Sequence, residues 1–221
     1  MLDRVLEPEV MDTSEEAADY DAMDHAAVNW AFVTDFIRFN AKLRGPVLDV
    51  GTGTALIPIE LARWVPGLAI VAIDAAAAMI KLAAANVKAA ELFDRIATRL
   101  VNARTLPFAD GEFPGVISNS IVHHIAEPEA VIAEMVRVCR RPGGVIFVRD
   151  LARPPDLATL EAQVETYAGN ANAHQRKMFA ASLHAALTVA EVQALVAAHG
   201  FAPGTVAMTS DRHWTWAAVT A

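Results

Sequence analysis

The sequence predicts an α/β fold, a parallel sheet with helices on both faces, and three observations carry that prediction. Compact β-branched runs alternate with alanine-rich helical stretches from residue 46 to about 150. A glycine-bearing turn, Gly51-Thr-Gly53, joins the first strand to the first helix of that series. The residues that close each strand are mostly polar, although the strands themselves are apolar. Strands linked through crossover helices must run parallel and be covered on both sides.

The elements follow in order. "PVLDV" (46–50) is a short apolar strand, and "TALIPIELARWV" (54–65) has helical spacing, with Leu56, Ile59 or Glu60, and Arg63 a turn apart. Pro58 falls in or just beyond the first turn, where a missing N–H is tolerated. "LAIVAID" (68–74) is the second strand. Residues 75–93 are almost pure helix formers, with Met79, Ala83 and Val87 along one side. "RIATRLV" (95–101) and "GVISNS" (115–120) are the next strands. Residues 128–144 start with proline as a helix does and stop at Pro-Gly-Gly before the strand "GVIFVRD" (144–150).

After residue 150 the texture changes. Residues 151–187 open with prolines and hold a polar segment, Tyr167 to Lys177, between helical pieces. In 188–200 Thr188 is the expected N-cap, Glu191 its capping-box partner and Gly200 the stop. Residues 205–220 suit two antiparallel strands joined at Ser210-Asp211-Arg212, with Trp214 and Trp216 on one face. The 221 residues read as one domain. It divides into an N-terminal helical cap (1–45), a cofactor-binding core (46–150), a substrate-cover insertion (151–187) and a C-terminal helix and hairpin (188–221).

Charge and composition narrow the function. Residues 1–24 carry nine acidic side chains and one arginine, whereas the rest holds 17 acids and 17 bases. Proteins that grip phosphodiester backbones normally show a basic surplus, so nucleic acid is disfavoured as substrate. The acidic leader reads as a solvated segment. No apolar run reaches the roughly 18 to 20 residues of a membrane span, and the N-terminus lacks the basic-then-apolar order of a signal peptide. The single cysteine, Cys139, continues a stripe with Ile132, Met135 and Val136 and reads as core. With no internal disulfide to form, a cytoplasmic setting is expected. The oligomeric state stays open, a homodimer being compatible with the sequence.

In parallel sheets ligands sit beyond the carboxyl ends of the strands, where strand order reverses. Gly51 and Gly53 allow backbone N–H groups to approach a ligand beside a helix N-terminus. Asp74, closing the next strand, is placed to accept both hydroxyls of a ribose. A nicotinamide enzyme wants a small residue where Leu56 stands. A carboxylate at Asp49 repels pyrophosphate and suits a cationic amino-acid moiety. S-adenosylmethionine carries an ammonium, a sulfonium and a ribose without phosphate, and fits better.

Asp49-Val-Gly51-Thr-Gly53, Asp74 with Met79, "NARTLPFADGEF" (102–113), "SNSIVHHI" (118–125) and "RVCRRPGGVIFV" (137–148) together resemble the class I S-adenosylmethionine-dependent methyltransferases. The nearest flavour is the small-molecule group that includes quinone-biosynthesis C-methyltransferases. The resemblance covers about residues 46–150 and implies a Rossmann-like, seven-stranded, mostly parallel sheet with an antiparallel C-terminal strand. It implies that Gly51, Thr52 and Gly53 hold the methionine part, with Asp49 near its amino group. Asp74 and Ala75 would meet the ribose, and Met79, Asn102 and Ala103 the adenine. Asn119 would end the fourth strand near the transferable methyl. Three positions depart from the family: Ala76 replaces a helix-capping serine, and Arg104 and Pro114 stand where acids are frequent.

Methyl transfer from sulfonium needs alignment and dry surroundings more than a strong catalytic group. A base is required only if the acceptor must lose a proton. His123 and His124, following the fourth strand, are the candidates for that duty, against a reading in which they only shape the loop. No metal is expected, because adjacent histidines do not readily bite one ion and no further ligand at a suitable spacing reinforces them. Tyr20, His25, Arg149, Tyr167 and His174 are the substrate candidates. The expected function is methyl transfer to a small molecule, releasing S-adenosylhomocysteine. The rivals are an RNA-modifying methyltransferase, a nicotinamide oxidoreductase and a non-catalytic S-adenosylmethionine-binding protein.

Overall fold

The computed structural model describes residues 2–7, 26–40 and 45–221. Its strands are β1 (Val47–Val50), β2 (Ile70–Asp74), β3 (Ile96–Leu100), β4 (Gly115–Asn119), β5 (Val145–Leu151), β6 (Val206–Met208) and β7 (His213–Val219). The helices among the described residues are α1 (Ala26–Phe39), α2 (Leu56–Trp64), α3 (Ala77–Ala89), α4 (Pro128–Cys139), α5 (Leu157–Ala168), α6 (Ala173–Ala185) and α7 (Val189–Ala197). The seven strands form one sheet of order β3-β2-β1-β4-β5-β7-β6. β1 pairs in parallel with β2 and β4, β2 in parallel with β3, and β6 antiparallel with β7. The Rossmann-like sheet and its antiparallel C-terminal end are as expected. Strand order reverses between β1 and β4, which fixes where the polar strand ends matter.

Two compact units are distinguishable. One comprises Val10–Asn119, Glu129–Val148 and Ala217–Ala221, and is termed the core unit; the other comprises Met1–Glu9, Ser120–Pro128 and Arg149–Trp216, and is termed the histidine unit.

In the core unit all four residues of β1 are buried, as an apolar central strand requires. Met79, Ala83 and Val87 of α3 are buried on the predicted face. Phe32 and Phe36 of α1 lie 5.2 and 5.7 Å from the ring of Phe147 on β5, the first edge-on. Cys139 is fully buried, and burial pushes its thiol pKa up to about 12, so it is inert core as read.

In the histidine unit Leu160 and Val164 of α5 pack with Leu183 of α6 and Leu151 of β5. The hairpin pairs Val206 with Trp216 and Met208 with Trp214, and both tryptophans are fully buried. Thr188 and Glu191 form the predicted reciprocal capping box at the start of α7.

Candidate functional site

The core unit builds a polar cluster from the tips of β1 and β2. Beyond β1 the chain turns through Gly51 (φ 76°) and Gly53 (φ 55°), left-handed conformations that glycine adopts freely. The Gly51 and Thr52 N–H groups both donate to the Ile73 carbonyl, at 2.9 and 2.8 Å. The Gly53 N–H donates to Asp74 Oδ2 at 2.9 Å, and the Ala76 N–H to Asp74 Oδ1 at 2.9 Å. The two strand tips that sequence reasoning paired are thus bonded to each other. Ala76 offers α3 no side-chain cap, and the Asp74 bond goes to the N–H of Ala76 itself, ahead of the first helical turn.

Asp49 is almost wholly buried in the middle of β1. Burial raises its carboxyl pKa to about 7, the Thr52 hydroxyl works against that rise, and the Asp74 charge adds to it. Burial likewise raises Asp74, against the bonds from Ala76, Gly53 and Ala75. Among the described residues, no basic side chain is one of the main groups acting on either carboxylate. Two desolvated carboxyls favour a positively charged ligand and oppose a phosphate. Polar atoms are also left over: Thr54 Oγ1 and Asn119 Oδ1 are buried and lack a hydrogen-bond partner among the described residues. Such groups fit a polar ligand that completes them.

The other expected cofactor residues divide. Met79 is buried beside Ala76. Ala75 is exposed and Ala103 half-buried. Asn102 is exposed, and its amide oxygen already accepts the Arg104 N–H at 2.9 Å, an Asx-type turn that orders its own loop. That oxygen keeps one lone pair for an adenine amino group.

The histidine unit holds a second polar cluster. Ser120, at φ 58°, turns the chain out of β4, and its N–H donates to the Arg149 carbonyl at 2.9 Å. The single helical turn Val122–His124 follows. Asp150 anchors it: Oδ2 accepts the Val122 and His123 N–H groups at 2.6 and 3.1 Å, and Oδ1 lies 2.5 Å from His123 Nδ1. Burial alone pushes the His123 imidazole down, but the Asp150 carboxylate and Glu7 outweigh it and raise the pKa. Asp150 is lowered, its burial outweighed by His123 and by backbone N–H groups. They form a buried, hydrogen-bonded imidazole–carboxylate pair. His123 is buried, whereas His124 keeps 16% of its side chain exposed and is the more reachable of the two.

Sequence reasoning missed Arg4 and Glu7. Arg4 donates to the carbonyls of Ala185, His123 and Ile125 at 2.6, 3.2 and 2.8 Å, and the Val5 N–H donates to His184. Glu7, placed by the charge pattern in a solvated leader, is instead turned inward: Oε1 lies 3.4 Å from His123 Nε2 and 3.2 Å from His124 Nδ1. The physical reason is that Arg4 spends its donors on carbonyls left open around the histidine turn, and so carries Glu7 in with it. No signal in the sequence pairs residue 7 with residue 123.

Of the substrate candidates, Arg149 is buried on β5 with Nε donating to Thr215 Oγ1 at 2.9 Å. Tyr167 is exposed, bonds Asp211 through its hydroxyl and carries the Arg212 guanidinium 3.4 Å above its ring. His174 is exposed on α6. Tyr20 and His25 lie outside the described residues.

Known methyltransferases resemble this chain in sequence and in fold. A family profile described as "Methyltransferase domain" matches residues 48–148. A phosphatidylethanolamine N-methyltransferase of Cereibacter sphaeroides is 37% identical over 110 residues, 49% of this chain and 52% of that one. A ubiquinone/menaquinone biosynthesis C-methyltransferase of Geobacter sulfurreducens is 31% identical over 111 residues, 50% of this chain and 43% of that one. The chain thus spans about half the length of the curated relatives it matches. A crystal structure of a SAM-dependent methyltransferase from Aquifex aeolicus superposes with a TM-score of 0.73 at 17% identity, covering 95% of this chain and 99% of that one, and shows the shared fold.

Proposed function

We propose that this chain, a member of the class I S-adenosylmethionine-dependent methyltransferases, moves a methyl group from S-adenosylmethionine to a small-molecule acceptor. When bound, the cofactor supplies a sulfonium methyl: an acceptor lone pair forms the new bond to carbon in line with the breaking carbon–sulfur bond, whose electrons return to sulfur. S-adenosylhomocysteine is the second product. The observation that carries this reading is the bonded pair Gly53–Asp74 beside the buried carboxyl of Asp49, which burial and the Asp74 charge both push toward a cationic partner.

The residues of the chain bind and orient. Gly51, Thr52 and Gly53 present backbone to the methionine part, and Asp49 holds its ammonium. Asp74 keeps acceptor capacity for ribose hydroxyls beyond the two N–H bonds it already takes. Ala75 lies beside the ribose, Met79, Asn102 and Ala103 flank the adenine, and Asn119 Oδ1 is the buried acceptor at the end of β4. In the histidine unit His124 takes a proton from an acceptor that must lose one, and His123, fixed by Asp150, shapes the turn that carries it. Arg149, Tyr167 and His174 stay as substrate contacts, of which Arg149 is the most constrained. The relatives named for carbon and nitrogen methylation support a small-molecule acceptor.

The test uses methyl-labelled S-adenosylmethionine and a metabolite extract. Label in a small product, with equimolar S-adenosylhomocysteine, supports the reading. Cofactor binding without label transfer to any acceptor supports the non-catalytic rival, and label in RNA the nucleic-acid one. The absence of a basic surplus weighs against the latter.

A further inference from the structure

We propose that Glu7 Oε1, His123 Nε2 and His124 Nδ1 form a binding site for one divalent transition-metal ion of the zinc type. All three residues belong to the histidine unit. Their ligand atoms lie within 4.8 Å of one another. Oxygen and nitrogen ligands of a tetrahedral ion, each about 2.0–2.2 Å from it, sit roughly 3.3 Å apart. Glu7 Oε1 stands 3.4 Å from His123 Nε2 and 3.2 Å from His124 Nδ1, which is that separation.

Three further features fit an ion rather than a plain ion pair. Glu7 Oε1 is buried and makes no hydrogen bond among the described residues, so the two imidazoles do not satisfy it. Asp150 holds His123 Nδ1 at 2.5 Å, which turns Nε2 toward Glu7. A carboxylate behind a ligating histidine is the outer support that metal-bound imidazoles use. The two ring centroids lie 4.1 Å apart with their planes tilted by 34°, and the ligand atoms of all three residues fall within 4.8 Å of one another.

Sequence alone points to no metal site here, because adjacent histidines do not readily bite one ion and no further ligand at a suitable spacing reinforces them. The third ligand comes from the N-terminal segment, which is pinned rather than loose. Arg4 grips the carbonyls of His123, Ile125 and Ala185, and Ser182 Oγ donates to Glu7 Oε2 at 3.2 Å. Two imidazoles and a carboxylate suit zinc and its first-row neighbours, whereas magnesium and calcium prefer all-oxygen shells. Three protein ligands leave one position for water or for an anionic oxygen of a small molecule, the arrangement of reactive rather than purely structural zinc sites.

The site does not rest on S-adenosylmethionine binding, although an ion on His124 removes that residue as the base of methyl transfer, and the experiment keeps cofactor and ion apart. Tag-free full chain is stripped with a chelator and titrated with zinc by calorimetry, and with cobalt(II) as an absorbing probe. The expected result is one ion per chain, with visible cobalt bands of a four-coordinate site. Glu7→Gln and His124→Ala, each checked for retained circular dichroism, weaken binding at least tenfold. Asp150→Asn weakens it about 10- to 100-fold, as loss of an outer support does. No stoichiometric ion, or an affinity unchanged in both Glu7→Gln and His124→Ala, overturns the proposal. S-adenosylmethionine affinity of the stripped protein is measured in parallel. Cofactor binding without metal binding sinks the metal site alone, and metal binding without cofactor binding sinks the methyltransferase reading alone.

Discussion

The Gly53 N–H donates to Asp74 Oδ2 across 2.9 Å, tying the turn after β1 to the tip of β2. The same carboxylate accepts the Ala76 N–H through its other oxygen. Asp74 therefore shapes the loop before it meets any ligand, and replacing it has two effects. Asp74→Ala removes two charge-assisted bonds, which costs stability by about 1.5–3 kcal/mol for each, and weakens S-adenosylmethionine binding tenfold or more. Asp74→Asn keeps one acceptor oxygen, so its loss of stability is smaller while its loss of affinity persists. Urea melts and titration calorimetry on both variants separate the two roles; equal affinity for wild type and Asp74→Asn removes the ribose assignment.

Asp49 makes stability and binding depend on pH with opposite signs. Folded, its carboxyl keeps the proton up to about pH 7; unfolded, it releases it near its ordinary 3.8. The folded state thus binds more protons between those values, and its stability falls as pH rises through that window, by of order 4 kcal/mol in total. Asp49→Asn flattens this slope, measured as urea unfolding at pH 5 and pH 8. Cofactor binding runs the other way, because the ammonium favours the ionised acid: affinity is higher at pH 8 than at pH 6, and binding near pH 7 releases a proton. Calorimetry in buffers of different ionisation enthalpy reads that proton. A pH-independent affinity contradicts the placement of the ammonium at Asp49.

The two histidines separate under mutation. His124→Ala lowers turnover on an identified acceptor without a matching loss of S-adenosylmethionine affinity, and leaves stability nearly unchanged because its side chain is partly exposed. Asp150→Ala strands the N–H groups of Val122, His123 and Leu151 together with a buried imidazole. It costs about 3–5 kcal/mol of stability. Turnover unchanged in both His124→Ala and His123→Ala shows that the pair only shapes the loop.

The sheet and the bonded strand tips were legible because both rest on local chemistry. An apolar run such as residues 46–50 has few ways to be buried, and β1 spans Val47–Val50. Gly51 and Gly53 mark positive φ, and an acid closing the next strand lies within reach of the turn, as Asp74 does. Capping signals are equally local, which is why Thr188 and Glu191 pair as read. The histidine cluster was only half legible. His123, His124 and Asp150 stood out singly as strand-end residues, yet their partners come from Glu7 and Arg4 in a segment whose charge pattern suggests solvent. Long-range polar pairing leaves no periodicity to read. Asn102 shows the converse: its side chain is committed to its own turn, a local bond that competes with the ligand role assigned to it.

The central claim is that the tips at 49–53 and 74 hold a nucleoside bearing positive sulfur rather than one bearing phosphates. Calorimetric titration of the full chain with S-adenosylmethionine, S-adenosylhomocysteine and reduced nicotinamide dinucleotide tests it most directly. The account predicts one-to-one binding of the two sulfur nucleosides, weakened in Asp74→Asn, and no measurable binding of the dinucleotide. Dinucleotide binding equal to or tighter than that of S-adenosylmethionine contradicts it.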